Sequence, residues 1–198
     1  VTLQRTRLDP KKTIAEFRNG RYPLLGRLSL IKWQDPDPRI IIPLDDRLHI
    51  QKRLQQKIQS GYFTVTFDQA FREVVEGCAT MPGREKTWIS RDIKDLYSGL
   101  YKYGYAHSTE VWREGRLVGG QFGVSIGGYF SVASLFHTEN NAGKVGFALL
   151  AKRLRERGFT LFDMHVPSAT TAMFGGFEMP LSEFRVQLAA TIVSRVRF

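Results

Sequence analysis

Apolar residues recur at helical spacing through much of the first half of the chain. One helix is predicted to begin at Asp9 and Pro10, which are typical of a helix N-terminus, and to end at Gly20. Another is predicted over residues 44–59, a third in DQAFREVVEGCA, and a fourth with Ser90 as its N-cap. Short strands are predicted between them, in YFTVTF and directly after the proline-rich WQDPDP.

The second half of the chain changes from helical spacing to alternation. Residues 108–136 predict consecutive antiparallel strands, with tight turns at the dipeptides EG and GG. A helix is predicted after NNAGK and a strand in FTLFDMHV, whereas periodicity leaves AATIVSRV open between helix and strand. The sequence therefore predicts an α/β fold with a largely antiparallel central sheet, preceded by a small basic N-terminal piece.

Composition adds limits on the class of protein. The 198 residues are 42% hydrophobic and include 14 Phe, which is enough for one full core. No apolar run approaches the roughly 20 residues that cross a bilayer, and the N-terminus lacks a signal-peptide core. The single cysteine, Cys78, excludes an internal disulfide and a Cys-rich zinc site. We therefore expect a soluble, cytoplasmic protein and, because the chain opens with Val1, further residues at its front.

The net charge of +10 is concentrated near the start of the chain. Residues 1–60 hold 13 Lys and Arg against 6 Asp and Glu. Such asymmetry favours an anionic partner, of which nucleic acid is the commonest large one. A solvated basic surface is the alternative, since acidic residues are interspersed and no long basic block occurs.

Motifs of several common enzyme classes are absent. The chain has no Walker A sequence, no GxSxG, no HExxH and no GxGxxG opening a helix, and its four histidines lack metal-ligand spacing. The glycines of GGQFG lie inside a strand pattern, where glycine permits a bulge or a close backbone approach. His107, Ser108 and Asp163 supply the residue types of a hydrolase triad, but a triad is defined by geometry, and such a set is expected by chance.

Asp163 interrupts the apolar strand pattern of FTLFDMHV. A buried carboxylate costs several kcal/mol unless it is paired or hydrogen-bonded. With strict alternation, Asp163 and His165 would lie on one face of the strand, roughly 7 Å apart, so that one could polarise a group bound beside the other. A structural salt bridge and a catalytic carboxylate both remain open at this point.

Longer stretches of the chain resemble a known family. TWIS, YGYAHSTEVWREGRLVGGQFGV, SLFHTENNAGK and GFTLFDMHV are together similar to the bacterial leucyl/phenylalanyl-tRNA–protein transferases, and WQDPDPR, LHI and FREVVEGCA continue the match from about Asp9 to Phe184. The resemblance implies an acetyltransferase-superfamily-like catalytic domain over 41–198, after a small basic N-terminal subdomain over 1–40 that is shorter than in the family. It also implies a monomer.

The resemblance further implies an activity. Members transfer Leu or Phe, or Met, from aminoacyl-tRNA to the N-terminal amine of acceptor proteins that begin with Lys or Arg, and thereby mark them for degradation by the N-degron pathway. The expected partners are therefore charged tRNA and the N-terminal segment of an acceptor protein, with no membrane. No metal or free nucleotide cofactor is expected.

Site residues also follow from the resemblance. Asp163 matches the family's aspartate beside the reacting centre, with His165 as its expected catalytic neighbour. The aminoacyl-adenosine pocket is expected to include Trp88 and Phe130 as aromatic walls, together with Leu24, Ala133 and Ser134. The basic helix with Lys52, Arg53 and Lys57 lies where the family contacts tRNA.

Several of these positions depart from the family pattern. Leu24 stands where the family has a pocket tryptophan, Ala133 where it has a carboxylate, and His165 where it has a glutamine amide; Gly143 replaces a serine. One explanation is that His165, paired with Asp163, serves as a general base near neutral pH. The other is a relative that binds tRNA or peptide N-termini without transfer. An acyl-CoA acetyltransferase is a weaker third reading, because NNAGKVG matches the pyrophosphate-binding turn of that superfamily poorly.

Overall fold

The computed structural model describes residues 9–25, 31–81 and 87–198. The strands in these residues are β1 (Tyr22–Leu25), β2 (Ile31–Gln34), β3 (Arg39–Ile42), β4 (Thr64–Phe67), β5 (Ala106–Arg113), β6 (Arg116–Ile126), β7 (Tyr129–His137), β8 (Leu161–Asp163) and β9 (Phe177–Met179). The helices are α1 (Pro10–Arg18), α2 (Lys52–Gln59), α3 (Phe71–Thr80), α4 (Arg91–Lys102), α5 (Ala142–Glu156), α6 (Ala169–Met173) and α7 (Leu181–Thr191).

The main sheet has seven strands in the order β4-β5-β6-β7-β8-β3-β9, and β1 and β2 form a separate antiparallel pair. Every neighbouring pair in the main sheet is antiparallel except β7 and β8, which run parallel. Parallel neighbours need a crossover, and α5 supplies it. The predicted α/β class with a largely antiparallel central sheet is therefore confirmed.

Helices cover both faces of this sheet. A Cβ placed on Gly119 would lie 3.2 Å from Ala142 of α5, whereas a Cβ on Gly120 would lie 2.9 Å from Val74 of α3. Since neighbouring residues of a strand point to opposite faces, α3 and α5 lie on opposite sides. The α3-side core includes Phe17, Val74, Leu96, Phe122 and Val124. The α5-side core includes Phe63, Phe130, Phe147, Leu150 and Phe162.

A β-bulge interrupts the pairing of β6 with β7. Phe122 pairs with Ser134 and Gly123 with Val132, so Ala133 is the extra residue on β7. A Cβ on Gly123 would lie only 2.3 Å from the carbonyl oxygen of Ser131. The glycine-rich sequence therefore serves both a bulge and a close backbone approach, as predicted.

Local sequence signals predicted most elements correctly, but one helix and one strand were predicted to be longer than they are. Of residues 44–59, only Lys52–Gln59 is helical, because Asp45 closes a turn by accepting the backbone N–H of Arg47 at 3.0 Å. The strand predicted in FTLFDMHV ends at Asp163. The open C-terminal stretch begins within helix α7.

The division at residue 40 stays a prediction, and residues 1–8 and 26–30 lie outside the described part of the chain. Within the described part, β3 joins the main sheet, whereas β1 and β2 do not. The helices found there include none with the length and hydropathy needed to cross a membrane.

Candidate active site

Arg39 is the centre of a buried polar cluster between β3 and β8. Its side chain has no exposed surface, and its Nη1 donates a hydrogen bond of 2.8 Å to Oδ2 of Asp163. Its Nη2 donates to Oδ1 of Asp35 at 3.1 Å and to the carbonyl oxygen of Gly20. The guanidinium also lies 4.4 Å from the ring centroid of Phe184. Two carboxylates and a backbone carbonyl therefore compensate this buried cation.

Asp163, the last residue of β8, is fully buried and fully hydrogen-bonded. Besides the bond from Arg39, its Oδ2 accepts the hydroxyl of Tyr129 at 2.9 Å and its Oδ1 accepts the backbone N–H of His165 at 2.8 Å. Burial raises the pKa of Asp163, but the positive charge of Arg39 and the hydrogen bond from the backbone N–H of His165 lower it, and the net shift leaves the pKa below its ordinary value. Asp163 is therefore held as a carboxylate.

Tyr129 stays protonated beside this carboxylate. Burial raises the pKa of Tyr129 well above 10.0, and the nearby charge of Asp163 raises it further. Its hydroxyl is thus a permanent donor to Asp163.

His165 folds back onto this cluster, which corrects the expected geometry. Its φ of +66° turns the chain out of the strand, so the predicted strict alternation is wrong, and Nδ1 lies 3.1 Å from Oδ2 of Asp163. Nδ1 is also 3.1 Å from Nη1 of Arg39, and Nε2 lies 3.1 Å from Oγ of Ser131 and 3.0 Å from the carbonyl oxygen of Val132. The strand alternation does not continue to His165, because the carboxylate of Asp163 accepts the backbone N–H of His165 and ends the strand.

The ring of Tyr22, from the small β1–β2 sheet, covers the imidazole. The two rings stack with centroids 3.8 Å apart and planes 19° from parallel. Together with the contacts at both nitrogens, this stacking leaves His165 only 5% exposed. Tyr22 therefore covers one face of the imidazole, and protein groups contact both of its nitrogens.

The pocket residues inferred from the resemblance fall on both sides of the sheet. Trp88 and Ala133 pack against the α3-side core, as does Tyr22. Leu24 is half-buried on β1, two residues after Tyr22 and therefore on the same side of that strand. Phe130 belongs to the α5-side core, where its ring stacks on Phe198 at 5.4 Å. Ser134 is buried and follows Ala133 on the bulged strand β7.

The basic side chains of α2 differ in their exposure and in their contacts. Lys52 and Arg53 are exposed, whereas Nζ of Lys57 lies 3.1 Å from the ring centroid of Tyr62. Leu54 of the same helix is buried and belongs to the α5-side core. Lys52 and Arg53 are thus open to solvent, while Lys57 is held against an aromatic ring.

Other candidate groups do not join the site. Nδ1 of His107 lies 2.7 Å from Oδ2 of Asp68, and the hydroxyl of Ser108 donates to Glu110, so these residues form no triad with Asp163. Within residues 9–25, 31–81 and 87–198, no group of three or more His, Cys, Asp or Glu side chains is arranged to hold a metal ion.

Sequence reasoning missed five members of the cluster, namely Tyr22, Asp35, Arg39, Tyr129 and Ser131. Arg39 carried a usable signal: it opens the apolar run RIII, where a buried cation requires a carboxylate partner just as Asp163 requires a cation. The two tyrosines and the serine carried no comparable signal, because such residues are common in strands.

Comparison with known proteins identifies a family for most of the chain. The family model described as leucyl/phenylalanyl-tRNA protein transferase matches residues 41–189. A leucyl/phenylalanyl-tRNA–protein transferase of Herpetosiphon aurantiacus is 38% identical over 192 residues, which cover 97% of this chain and 98% of that protein. One of Stutzerimonas stutzeri is 39% identical over 183 residues, covering 92% of this chain and 80% of that protein.

Among solved structures, the crystal structure of FemX is similar with a TM-score of 0.57 and 13% identity, covering 74% of this chain and 60% of that chain. A GCN5-related N-acetyltransferase from Kribbella flavida has a TM-score of 0.47 and 11% identity, covering 73% of this chain and 55% of that chain. The FemX similarity concerns the fold alone. The sequence similarity is more specific, and by it the chain belongs to the leucyl/phenylalanyl-tRNA–protein transferase family.

Proposed function

We propose that this protein transfers leucine or phenylalanine, or methionine, from charged tRNA to the N-terminal amine of acceptor proteins that begin with Lys or Arg. The acceptor is thereby marked for degradation by the N-degron pathway in the cytoplasm. The observation that carries the proposal is that the family match begins within β3 and ends within α7, so it includes Tyr129, Asp163 and His165.

The chemistry asks little of the protein beyond positioning and charge. Aminoacyl-tRNA is already an activated ester, so the amine attacks its carbonyl carbon directly, the carbon–oxygen ester bond breaks, and an amide bond forms. The proton lost by the amine ends on the released oxygen of the tRNA. The atoms balance without a metal or nucleotide cofactor and without a covalent enzyme intermediate, and catalysis comes from proximity and electrostatic stabilisation.

The buried cluster suits this chemistry. Attack by an amine develops positive charge on nitrogen, and the ionised Asp163 supplies a fixed negative charge nearby. Asp163 has no exposed surface, so its charge acts on the substrate from behind His165 and the carboxylate does not contact the substrate itself. A charge held in a water-poor site acts more strongly than one in bulk water.

Substrate binding is assigned to the neighbouring surfaces. We assign Leu24, Trp88 and Ala133, on the side of the α3-side core, to the aminoacyl-adenosine end of tRNA, with Phe130 and Ser134 supporting β7 from within. Lys52 and Arg53 are assigned to the tRNA phosphates, whose contacts would make binding depend on salt. The protein acts as a monomer in this proposal.

The test is transfer from a mixed pool of charged tRNAs to a peptide that begins with Arg, with mass-spectrometric identification of the added residue. We expect addition of Leu, Phe or Met, and no addition to the same peptide with an acetylated N-terminus. Asp163→Asn, checked for folding by circular dichroism, should lower the transfer rate by about a hundredfold or more.

Other outcomes separate the alternatives. Tight tRNA binding without transfer from any charged tRNA would overturn the enzyme assignment and leave a binding protein. Turnover of acetyl-CoA in the absence of tRNA would point to an acetyltransferase instead.

A further inference from the structure

The two nitrogens of His165 face partners with opposite hydrogen-bonding capacity. Nδ1 lies 3.1 Å from Nη1 of Arg39, and a guanidinium can only donate. Nε2 lies 3.0 Å from the carbonyl oxygen of Val132, which can only accept. The hydroxyl of Ser131, 3.1 Å from Nε2, can do either and so does not discriminate.

These partners specify one protonation form of the imidazole. The carbonyl of Val132 requires a proton on Nε2, and the guanidinium of Arg39 requires a lone pair on Nδ1. Oδ2 of Asp163, also 3.1 Å from Nδ1, does not need a proton from it, because it already accepts from Arg39 and from Tyr129. A proton on Nδ1 would set two donors against each other, 3.1 Å apart, in a site closed to water.

His165 lies just beyond the end of β8, where its imidazole contacts two other strands. The parallel pairing of β7 with β8 ends at Ser131 and Asp163. Just beyond that point, Nε2 of the imidazole bonds to the carbonyl oxygen of Val132 on β7, and Nδ1 bonds to Arg39 on β3. Val132 directly precedes Ala133, the extra residue of the β-bulge, so the ring ties the bulge to the buried ion pair.

Resting on the proposed function, we propose that His165 is a positioning residue and not the general base expected from its residue type. It carries its one proton on Nε2, links Arg39 to the backbone of Val132, and fixes the bulge that presents Ala133 to the aminoacyl end of tRNA. Neither nitrogen offers a lone pair to the acceptor amine, because the lone pair on Nδ1 is taken by Arg39.

Titratable and charged groups from several elements surround the ring. The titratable or charged groups around the ring are Tyr22 on β1, Asp35 behind the guanidinium, Arg39 on β3, Tyr129 on β7 and Asp163 on β8. Asp163 is the one that would favour a second proton on the ring. Arg39 opposes it from the same distance and is itself fully buried.

The first experiment reads the tautomer without any activity. Two-bond ¹⁵N–¹H correlation spectra of the full chain, labelled at histidine, distinguish the Nε2–H form from the Nδ1–H form and from imidazolium, and the spectrum of His165→Gln assigns the signal. We expect the Nε2–H form near neutral pH. A Nδ1–H form or an imidazolium would overturn the proposal, whether or not the protein proves to transfer amino acids.

The second experiment compares two replacements in the transfer assay. Glutamine retains one donor and one acceptor, whereas leucine has neither. We expect His165→Gln to keep kcat within about tenfold of wild type and His165→Leu to lower kcat about a hundredfold. If His165 were a general base, both variants would lose about a hundredfold, because neither glutamine nor leucine can take up the proton. Equal losses in the two variants would therefore indicate a base and overturn the proposal.

Dependence on pH provides the decisive control. If His165 only positions, kcat/KM of wild type and of His165→Gln should rise in parallel with pH as the acceptor amine loses its proton. An additional ionisation in wild type that disappears in His165→Gln would overturn the proposal. His107→Gln, at the other histidine–aspartate pair, is the matched control and should leave the profile unchanged. Absence of transfer by wild type would contradict the proposed function and leave the tautomer measurement as the test.

Discussion

The described residues include two histidine–aspartate pairs whose surroundings differ. His107 and Asp68 are 2.7 Å apart, with side chains 15% and 31% exposed. His165 and Asp163 are 3.1 Å apart, with side chains 7% and 0% exposed. In each pair Nδ1 of the histidine faces an Oδ2 atom, so residue type and distance alone would give both the same role.

The difference between the pairs is Arg39. Nδ1 of His107 faces a carboxylate oxygen and is therefore a donor, with its ring stacked on Phe198 at 4.3 Å. Nδ1 of His165 faces a guanidinium as well as a carboxylate and is an acceptor in our proposal. In our proposal, Arg39, which is distant in sequence, places the proton of His165 on Nε2 and makes the His165–Asp163 pair part of a buried network.

The largest expected effect comes from removing the cation of the buried pair. Arg39→Met leaves Asp163 buried without its cation and should lower the free energy of unfolding by about 3–5 kcal/mol. Asp68→Asn, at the more exposed pair, should lower it by about 1 kcal/mol or less. Urea denaturation measures both, and equal losses would show that the two pairs are alike.

The double variant Arg39→Met with Asp163→Leu sharpens this test. It removes both charges together, so it should be more stable than Arg39→Met alone. A double variant that is less stable than the single one would show that volume, and not charge, dominates at the buried pair.

A smaller effect is expected from the hydroxyl that also bonds to Asp163. Tyr129→Phe removes one hydrogen bond to a carboxylate and should lower the free energy of unfolding by about 1.5–3 kcal/mol. Tyr101→Phe is the matched control near the other pair, because its hydroxyl donates to a neutral acceptor, the backbone carbonyl of Asp68, at 2.9 Å. Urea denaturation should show the smaller loss for Tyr101→Phe, and the reverse order would argue against an ionised Asp163.

Acid should weaken the fold through the buried carboxylate. The pKa of Asp163 is lowered in the folded protein, so its contribution to stability is present above its ordinary value of 3.8 and is lost as pH falls from there through the folded-state pKa. One such group changes the free energy of unfolding by at most about 1.4 kcal/mol per pH unit. Asp163→Asn should flatten this acid limb in urea unfolding followed against pH, and an unchanged limb would contradict the assignment.

The smallest effect concerns the ring that covers His165. Tyr22→Leu removes a stacked aromatic partner and should lower the free energy of unfolding by about 1 kcal/mol. Tyr103→Leu, at a position that is 56% exposed, should change it by about 0.5 kcal/mol or less. Thermal unfolding of both variants measures the difference, and equal shifts would mean that Tyr22 does not stabilise the histidine it covers.

Part of the candidate site could be predicted from sequence. Asp163 stood out because a carboxylate within an apolar strand pattern is costly, and the structure confirms that this carboxylate is buried and paired. The conformation of His165 could not be predicted, because alternation assumes that the strand continues. The strand stops where Asp163 accepts the N–H of His165 and the chain turns to a positive φ.

The sequence by itself determined the local elements and the family. The side chain of Asp9 caps α1, that of Ser90 caps α4, and the glycine-containing turns close the hairpins of the main sheet, because each of these signals acts over a few residues of chain. Only the tertiary structure decided the partner of Asp163, since Arg39 is 124 residues away and reaches it through the pairing of β3 with β8. That pairing depends on the order of strands in the sheet, and the order depends on how the whole core packs.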